Sequence, residues 1–122
     1  IKTIEDAIKI YSNARLSYDT VCILRWPDGE PVCPRCGDGD PYLVERPYLY
    51  SCRDCRRKYT ARVGSPMEGS QISDMQWMVA AWASHNTDIT AYKLSSIIGV
   101  SPTTAIDILN KIKKNNKFFK KL

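Results

Sequence analysis

The chain is 122 residues long with a formal net charge of +5, and 43% of its residues are hydrophobic. This length suffices for one domain or two small subdomains, and it excludes a DNA-binding module joined to a full nuclease or kinase domain. The longest unbroken apolar run, Trp77 to Ala83, is seven residues and too short to span a membrane. The charged, amphipathic segment Ile1 to Arg15 differs from a signal peptide.

Positive charge is distributed unevenly along the chain. The last twelve residues contain six lysines and no acidic residue, so residues 1–110 are close to neutral. A second basic cluster consists of Arg53, Arg56, Arg57, Lys58 and Arg62. Two basic patches on an otherwise balanced chain favour a polyanionic partner. For the basic tail, residues 117–122, simple solvation of the lysines is the alternative.

Residues 1–30 are predicted to form a helical segment. Thr3 and Asp6 have the spacing of a capping box, and apolar residues follow at helical spacing, which predicts a helix over 4–14. A second, short helix is predicted over 19–24. Cys22 lies in this helix among apolar residues, and we interpret it as a small buried side chain rather than a metal ligand.

Residues 31–63 are predicted to form a zinc ribbon. Tyrosine-rich segments at 42–44, 47–51 and 58–61 predict short antiparallel strands. This part of the chain has too few apolar residues to fold around a hydrophobic core alone, so it needs a cross-link or a metal ion.

The cysteines provide that metal site. Cys33 and Cys36 form one Cys-x-x-Cys pair, Cys52 and Cys55 form another, and fifteen residues separate the pairs. This is the spacing of a zinc ribbon, in which four thiolates close a tetrahedral structural Zn²⁺ site with no open position for catalysis. Two disulfides are the alternative, which the basic tail and the lack of a secretory signal disfavour.

The basic residues that follow the second cysteine pair have two interpretations. Four thiolates with one Zn²⁺ hold a net charge of about −2, which nearby arginines would offset. The same side chains could instead contact phosphate. On the second interpretation the candidate DNA contacts are Arg56, Arg57, Lys58 and Arg62.

Residues 73–116 are predicted to form three helices. Ser73 and Gln76 form a capping box, and apolar residues then occupy most faces of the first helix. We expect that helix to be buried between the ribbon and the later helices. A second helix is predicted over 90–98, ending at Gly99, and Ser101 starts the third.

This pattern is typical of a helix-turn-helix, whose second helix enters the DNA major groove. An ordinary three-helix bundle is the alternative. The side chains predicted to point away from the core are Thr103, Thr104, Asp107, Asn110, Lys111, Lys113 and Lys114. We expect the threonines and Asn110 to contact base edges and the lysines to contact phosphate. Asp107 argues against DNA unless it accepts a hydrogen bond from a cytosine amine.

Together these segments resemble the N-terminal region of bacterial insertion-sequence transposases of the zinc-ribbon type, related to the eukaryotic Merlin elements. The matching segments, in the family's order, are Leu24 to Gly29, Cys33 to Gly37, Cys52 to Tyr59, Gly64 to Ser70, Trp77, and Ala91 to Ile112. Ser65 replaces the family's usual threonine. The resemblance implies binding to the terminal inverted repeats of an element. It also implies a catalytic DDE domain with divalent metal ions, but none of the thirteen acidic residues matches its carboxylates.

The sequence thus predicts a small α+β protein: an N-terminal helical segment, a zinc ribbon with one structural Zn²⁺, and a C-terminal helix-turn-helix. We expect sequence-specific binding of double-stranded DNA, as the end-binding region of a transposase or as a truncated relative, with no enzymatic activity of its own. The alternative is a zinc-ribbon adaptor or regulator subunit that docks proteins. A dimer or a protein partner stays open, and no membrane is involved. The expected location is cytoplasmic and nucleoid-associated in a bacterium, or nuclear in a eukaryote.

Overall fold

The computed structural model describes residues 1–37, 39–45 and 49–120, and over these it has six helices and a three-stranded sheet. The helices are α1 (Ile4–Tyr11), α2 (Ala14–Arg25), α3 (Asp74–Asn86), α4 (Ala91–Ile98), α5 (Pro102–Lys114) and α6 (Asn116–Phe119). The strands are β1 (Tyr42–Glu45), β2 (Leu49–Ser51) and β3 (Lys58–Tyr59). None of the helices in these ranges has the length and apolar character that crossing a membrane requires.

The N-terminal segment forms two helices joined by a tight break. The capping box at Thr3 and Asp6 is confirmed, because each residue's side chain accepts a hydrogen bond from the other's backbone N–H. The first helix ends at Tyr11 rather than at residue 14, because the Asn13 side chain accepts hydrogen bonds from the backbone N–H groups of Arg15 and Leu16 and starts α2. Helix α2 therefore begins five residues earlier than the predicted 19–24.

The sheet is antiparallel in the order β1-β2-β3. The predicted segment 47–51 lies partly outside the described residues, and β2 is described from Leu49. The third strand ends at Tyr59 rather than at residue 61. The reason is tertiary: the backbone N–H of Ala61 donates to the hydroxyl of Tyr18 on α2, at 3.3 Å, instead of pairing with a strand.

The ribbon rests on the end of α2. Trp26, the C-terminal cap of that helix, lies against Tyr50 of β2 and Tyr59 of β3, with ring centroids 5.9 and 6.1 Å away. The two tyrosines stack on each other at 5.8 Å. Each of these contacts is within the range of favourable aromatic pairs. An apolar cluster that includes all three rings thus joins the sheet to the helices.

Helix α3 is the central helix of the helical part. Every residue from Trp77 to Ala83 is buried, which confirms that this helix is enclosed on several sides. It packs against α1, α2, α4 and α5. The expectation that it lies between the ribbon and the later helices is therefore corrected, since α1 and α2 take the position expected for the ribbon.

Helices α4 and α5 are joined by a short turn with the predicted caps. Gly99 ends α4 in the left-handed conformation, φ +74°, and its backbone N–H donates to the carbonyl of Ser95. The Ser101 side chain accepts a hydrogen bond from the backbone N–H of Thr104, with Pro102 as the first helical residue. These local signals place the start of α5 where the sequence predicts it.

The predicted basic tail is in part an anchored helix. After α5 ends, α6 returns the chain to the core, where Phe119 is fully buried and stacks on Trp77 with ring centroids 6.1 Å apart. Lys117 and Lys120 remain exposed. Phe119 is the contact that anchors this lysine-rich segment to the core, which charge patterning alone does not reveal.

Replacing Phe119 with alanine should lower the free energy of unfolding by about 3–5 kcal/mol, because a fully enclosed ring is lost and a cavity remains. The matched control is Phe118→Ala, which removes the same atoms from a half-buried position. Urea unfolding of the zinc-loaded protein measures both. Equal, small losses for the two variants would show that α6 is not anchored.

Candidate metal centre and nucleic-acid interface

The four predicted ligands converge on one point. The Sγ atoms of Cys33, Cys36, Cys52 and Cys55 all lie within 4.8 Å of one another. Across the two knuckles, the Sγ atoms of Cys33 and Cys55 are 3.7 Å apart and those of Cys36 and Cys52 are 3.3 Å apart. Tetrahedral zinc with Zn–S bonds of about 2.3 Å requires sulfur separations of about 3.8 Å. The cluster has the dimensions of a four-thiolate zinc site, and its separations exceed a disulfide bond of about 2.05 Å.

Two similar backbone turns hold the cysteine pairs. In the first, the N–H of Gly37 donates to the carbonyl of Cys33 at 3.0 Å; in the second, the N–H of Arg56 donates to the carbonyl of Cys52 at 3.0 Å. Both turn residues have positive φ, +79° and +61°. Glycine adopts this conformation at no steric cost, whereas arginine does not. Within the described ranges, Arg56 is the only residue other than glycine with positive φ.

The environment of Cys33 favours its thiolate. The backbone N–H of Cys36 is the main cause, and it holds the pKa of Cys33 at about 6. The thiolate is the form that binds metal, so this ligand is available at neutral pH. Cys22 behaves in the opposite way, because burial raises its pKa to about 11 and it packs beside the core. It is not part of the cluster.

Comparison with known families identifies this part of the chain. Residues 16–58 match the family model described as the transposase zinc-ribbon domain. This part of the chain is therefore similar to a transposase zinc-ribbon domain, and we call it the zinc-ribbon domain. Its four cysteines form a zinc-ribbon site suited to one structural Zn²⁺. No curated protein and no solved structure matches the chain.

The matched range explains the architecture of the zinc-ribbon domain. It begins within α2, so it includes Trp26 as well as both cysteine pairs. The helix that supports the sheet is thus part of the matched domain. The sequence indicates the metal ligands through their spacing, but it has no local signal that α2 and the ribbon form one unit.

The basic residues beyond the second knuckle differ in their surroundings. Arg56, Arg57 and Lys58 are exposed, and within the described part of the chain none of them forms an ion pair. Arg53 pairs with the Asp40 carboxylate at 3.6 Å and lies over the ring of Tyr42. Arg56, Arg57 and Lys58 form an exposed basic surface, which we call the knuckle surface.

Arg62, predicted as a fourth contact, is partly buried and occupied inside the protein. Its guanidinium donates to the Asp74 carboxylate at 3.3 Å and to the carbonyls of Met67 and Ser70 at 3.0 and 3.1 Å. Burial raises the pKa of Asp74, and Arg62 opposes that rise. The structure therefore separates Arg62 from the knuckle surface.

Helix α5 has one buried and one exposed face. Ala105, Ile108 and Ile112 are buried. At about 100° per residue, the side chains opposite this stripe are Thr103, Asp107, Asn110 and Lys114, all exposed. Ile106, a large apolar side chain on the edge of this face, is 48% exposed and is not among the predicted contacts. Helical periodicity predicts its position, but an apolar side chain gives no signal of exposure by itself.

The remaining predicted contacts flank that face. Thr104 is half-buried and its hydroxyl accepts a hydrogen bond from Ser101. With Lys111 it lines a cleft of about 200 Å³, across which lie Ser70 and Ile72. Lys113 is exposed on the opposite flank. The segment around Ser70, which the sequence analysis did not consider as a contact, thus borders the outer side of α5.

The zinc-ribbon domain should bind one Zn²⁺ per chain. Replacing Cys52 with serine should remove the metal ion and unfold residues 31–59. Metal binding supplies much of the folding free energy of such a segment. Zinc should also dissociate as the pH falls, because protons compete with the metal for the thiolates. Elemental analysis with circular dichroism tests this. Cys22→Ser is the matched control and should keep its zinc, whereas a folded Cys52→Ser protein without metal would contradict the prediction.

Replacing Arg56 with glycine should stabilise the zinc-loaded ribbon by about 1 kcal/mol relative to Arg57→Gly, because only Arg56 adopts the left-handed conformation. Both variants remove one positive charge beside the thiolates, so their difference isolates the backbone effect. Competition for zinc with a chromophoric chelator measures it. Weaker zinc binding by the Arg56 variant than by the Arg57 variant would refute the assignment of strain.

Proposed function

We propose that the chain binds double-stranded DNA sequence-specifically, with α4 and α5 acting as a helix-turn-helix and α5 entering the major groove. The observation that supports this most is the exposed face of α5, whose Thr103, Asn110 and Lys114 lie opposite the buried stripe. A transposase-type ribbon in the same chain supports DNA as the polyanion, because transposases act on DNA.

The exposed face of α5 offers donors and acceptors suited to base edges. Thr103 lies in the first turn, the part of a recognition helix that meets bases. Asn110 is two turns further along the same face, and a bidentate contact with adenine is its usual role in the major groove. Between them lies Asp107, which no described residue neutralises by an ion pair. We assign it to an exocyclic amine, with the N4 amine of cytosine as the best match.

Two groups of cations would contact the phosphates. Lys111, Lys113 and Lys114 occupy the last turn of α5, where the helix would leave the groove. The knuckle surface supplies the second group. Its strained Arg56 supports this role, because a backbone cost retained at one residue is typical of a functional position. Arg62 is left out of the proposed contacts, since its guanidinium is bonded internally.

We further infer that the bound DNA is the terminal inverted repeat of an element, and that these residues hold DNA without cutting it. Among the described residues, the four cysteines are the only group of three or more His, Cys, Asp or Glu side chains close enough to share a metal ion. Thiolates that close a tetrahedral site support structure rather than hydrolysis.

One observation favours protein docking by the ribbon as a second candidate function. Strand β1 is at the edge of the sheet, and its consecutive side chains Tyr42, Leu43 and Val44 are all exposed. Exposed apolar edges are common sites of strand pairing with another chain. A docking adaptor would show a stable protein partner and no preferred duplex.

Replacing Asn110 with alanine should cost about 1–3 kcal/mol on the preferred duplex and change which sequences are preferred. Lys113→Ala, the matched control on the flank of the same helix, should weaken binding to all duplexes alike and flatten the salt dependence by about one unit. Selection from a random DNA pool gives the preferred site, and fluorescence anisotropy at several salt concentrations gives the slopes. If no duplex is preferred and binding is insensitive to salt, the protein is not a DNA reader.

A further inference from the structure

The segment between β3 and α3 has no regular secondary structure, yet several hydrogen bonds connect its residues. We call residues 61–72 the clamp loop. The Arg62 guanidinium lies at its centre and bonds to the carbonyls of Met67 and Ser70 and to Asp74 at the start of α3. One side chain thus joins the beginning of the loop, its far end and the central helix.

Further contacts fix the path of the clamp loop. The Ser65 hydroxyl donates to the carbonyl of Arg62 at 2.6 Å, and the backbone N–H of Gly64 donates to the Glu68 carboxylate at 3.1 Å. The Met67 side chain is completely buried. Connections of this length without secondary structure are uncommon unless they have a function. This loop has the internal bonding of a rigid connector.

At its near end the clamp loop touches the zinc-ribbon domain. Gly64 has φ +82°, and a Cβ placed there would lie 2.8 Å from the Nη2 atom of Arg25 and 3.2 Å from the Cβ atom of Pro34. Pro34 lies between Cys33 and Cys36 in the first knuckle. A larger residue at this position would be strained by the positive φ and would push Arg25 and Pro34 away, so glycine suits this close approach of the loop to α2 and the knuckle.

At its far end the clamp loop borders α5. The Ser70 hydroxyl accepts hydrogen bonds from the indole N–H of Trp77 at 3.3 Å and from the backbone N–H of Ile72 at 3.1 Å. Ser70 and Ile72 then form one side of the cleft whose other side includes Thr104 and Lys111. The loop therefore extends from the metal site to the outer flank of the proposed recognition helix.

We propose that the clamp loop is a rigid spacer which, together with the packing of the sheet on α2, holds the knuckle surface and α5 on one DNA duplex at a single allowed spacing. This inference rests on the proposed function. A flexible linker would let the two parts bind at many separations. A rigid one does not, because each inserted base pair moves the second contact by about 3.4 Å and rotates it by about 35°. Arg62 is the positioning residue of the spacer.

The first test uses the wild-type, zinc-loaded chain and a duplex selected from a random pool. Footprinting should show two separately protected segments, one from α5 and one from the knuckle surface. Inserting two or five base pairs between them should lower affinity at least tenfold. A single protected segment, or affinity unchanged by the insertions, overturns the spacer while leaving DNA binding by α5 intact. No preferred duplex at all overturns the proposed function as well.

The second test asks whether Arg62 enforces the spacing. The Arg62→Ala variant should bind the original duplex with lower affinity than the wild-type chain. Inserting two base pairs should then lower the affinity of this variant less than threefold. Arg57→Ala, the control in the knuckle surface, should weaken both duplexes by the same factor and keep the tenfold loss. Zinc content and cooperative unfolding establish that each variant is folded. If Arg62→Ala does not fold, Asp74→Ala removes one of the three acceptors of the Arg62 guanidinium and should reduce the insertion loss in the same direction. A folded variant that keeps the full loss overturns the role of Arg62.

Discussion

The ribbon depends on the attraction between four thiolates and one divalent ion. Cys52 directly follows β2 and β3 begins soon after Cys55, so the second knuckle is also the turn that pairs these two strands. Pairing brings Tyr50 opposite Tyr59, and this stack supports Trp26 at the end of α2. The metal site thereby determines how the sheet attaches to the helices. Short strands without it would bury too little apolar surface to pair.

The arginines of the ribbon show how one residue type serves three purposes. Arg53 balances a neighbouring carboxylate, and Arg62 organises the chain after the sheet. Arg56 and Arg57 remain directed to solvent beside the thiolates. A guanidinium with several internal acceptors has fewer donors left for phosphate, whereas an exposed one retains all five. Surroundings, rather than residue type, therefore separate structural cations from candidate DNA contacts.

Signals that act over a few residues could be predicted from the sequence. The capping boxes at Thr3 and Ser73 and the left-handed Gly99 depend on hydrogen bonds between residues close in the chain. The boundaries of α1 and α2 are harder to predict from the sequence, because the buried face of α2 includes Ser17 and Tyr18, which hydrophobic periodicity does not recognise. Apolar patterns detect aliphatic stripes, whereas these two side chains are buried with hydrogen-bond partners outside α2, the Tyr11 carbonyl for Ser17 and the Ala61 N–H for Tyr18.

By itself the sequence determined the metal site, since two Cys-x-x-Cys pairs reach one ion through geometry within each knuckle. It likewise determined the start of α5 and the set of side chains along it. Only the tertiary structure decided that Arg62 is bonded internally, that Phe119 is buried on Trp77, and that the ribbon contacts α2 and its C-terminal cap. These outcomes depend on contacts between residues that are distant in the chain. Burial and hydrogen bonding decide which of several possible contacts forms, and a local sequence pattern does not contain that information.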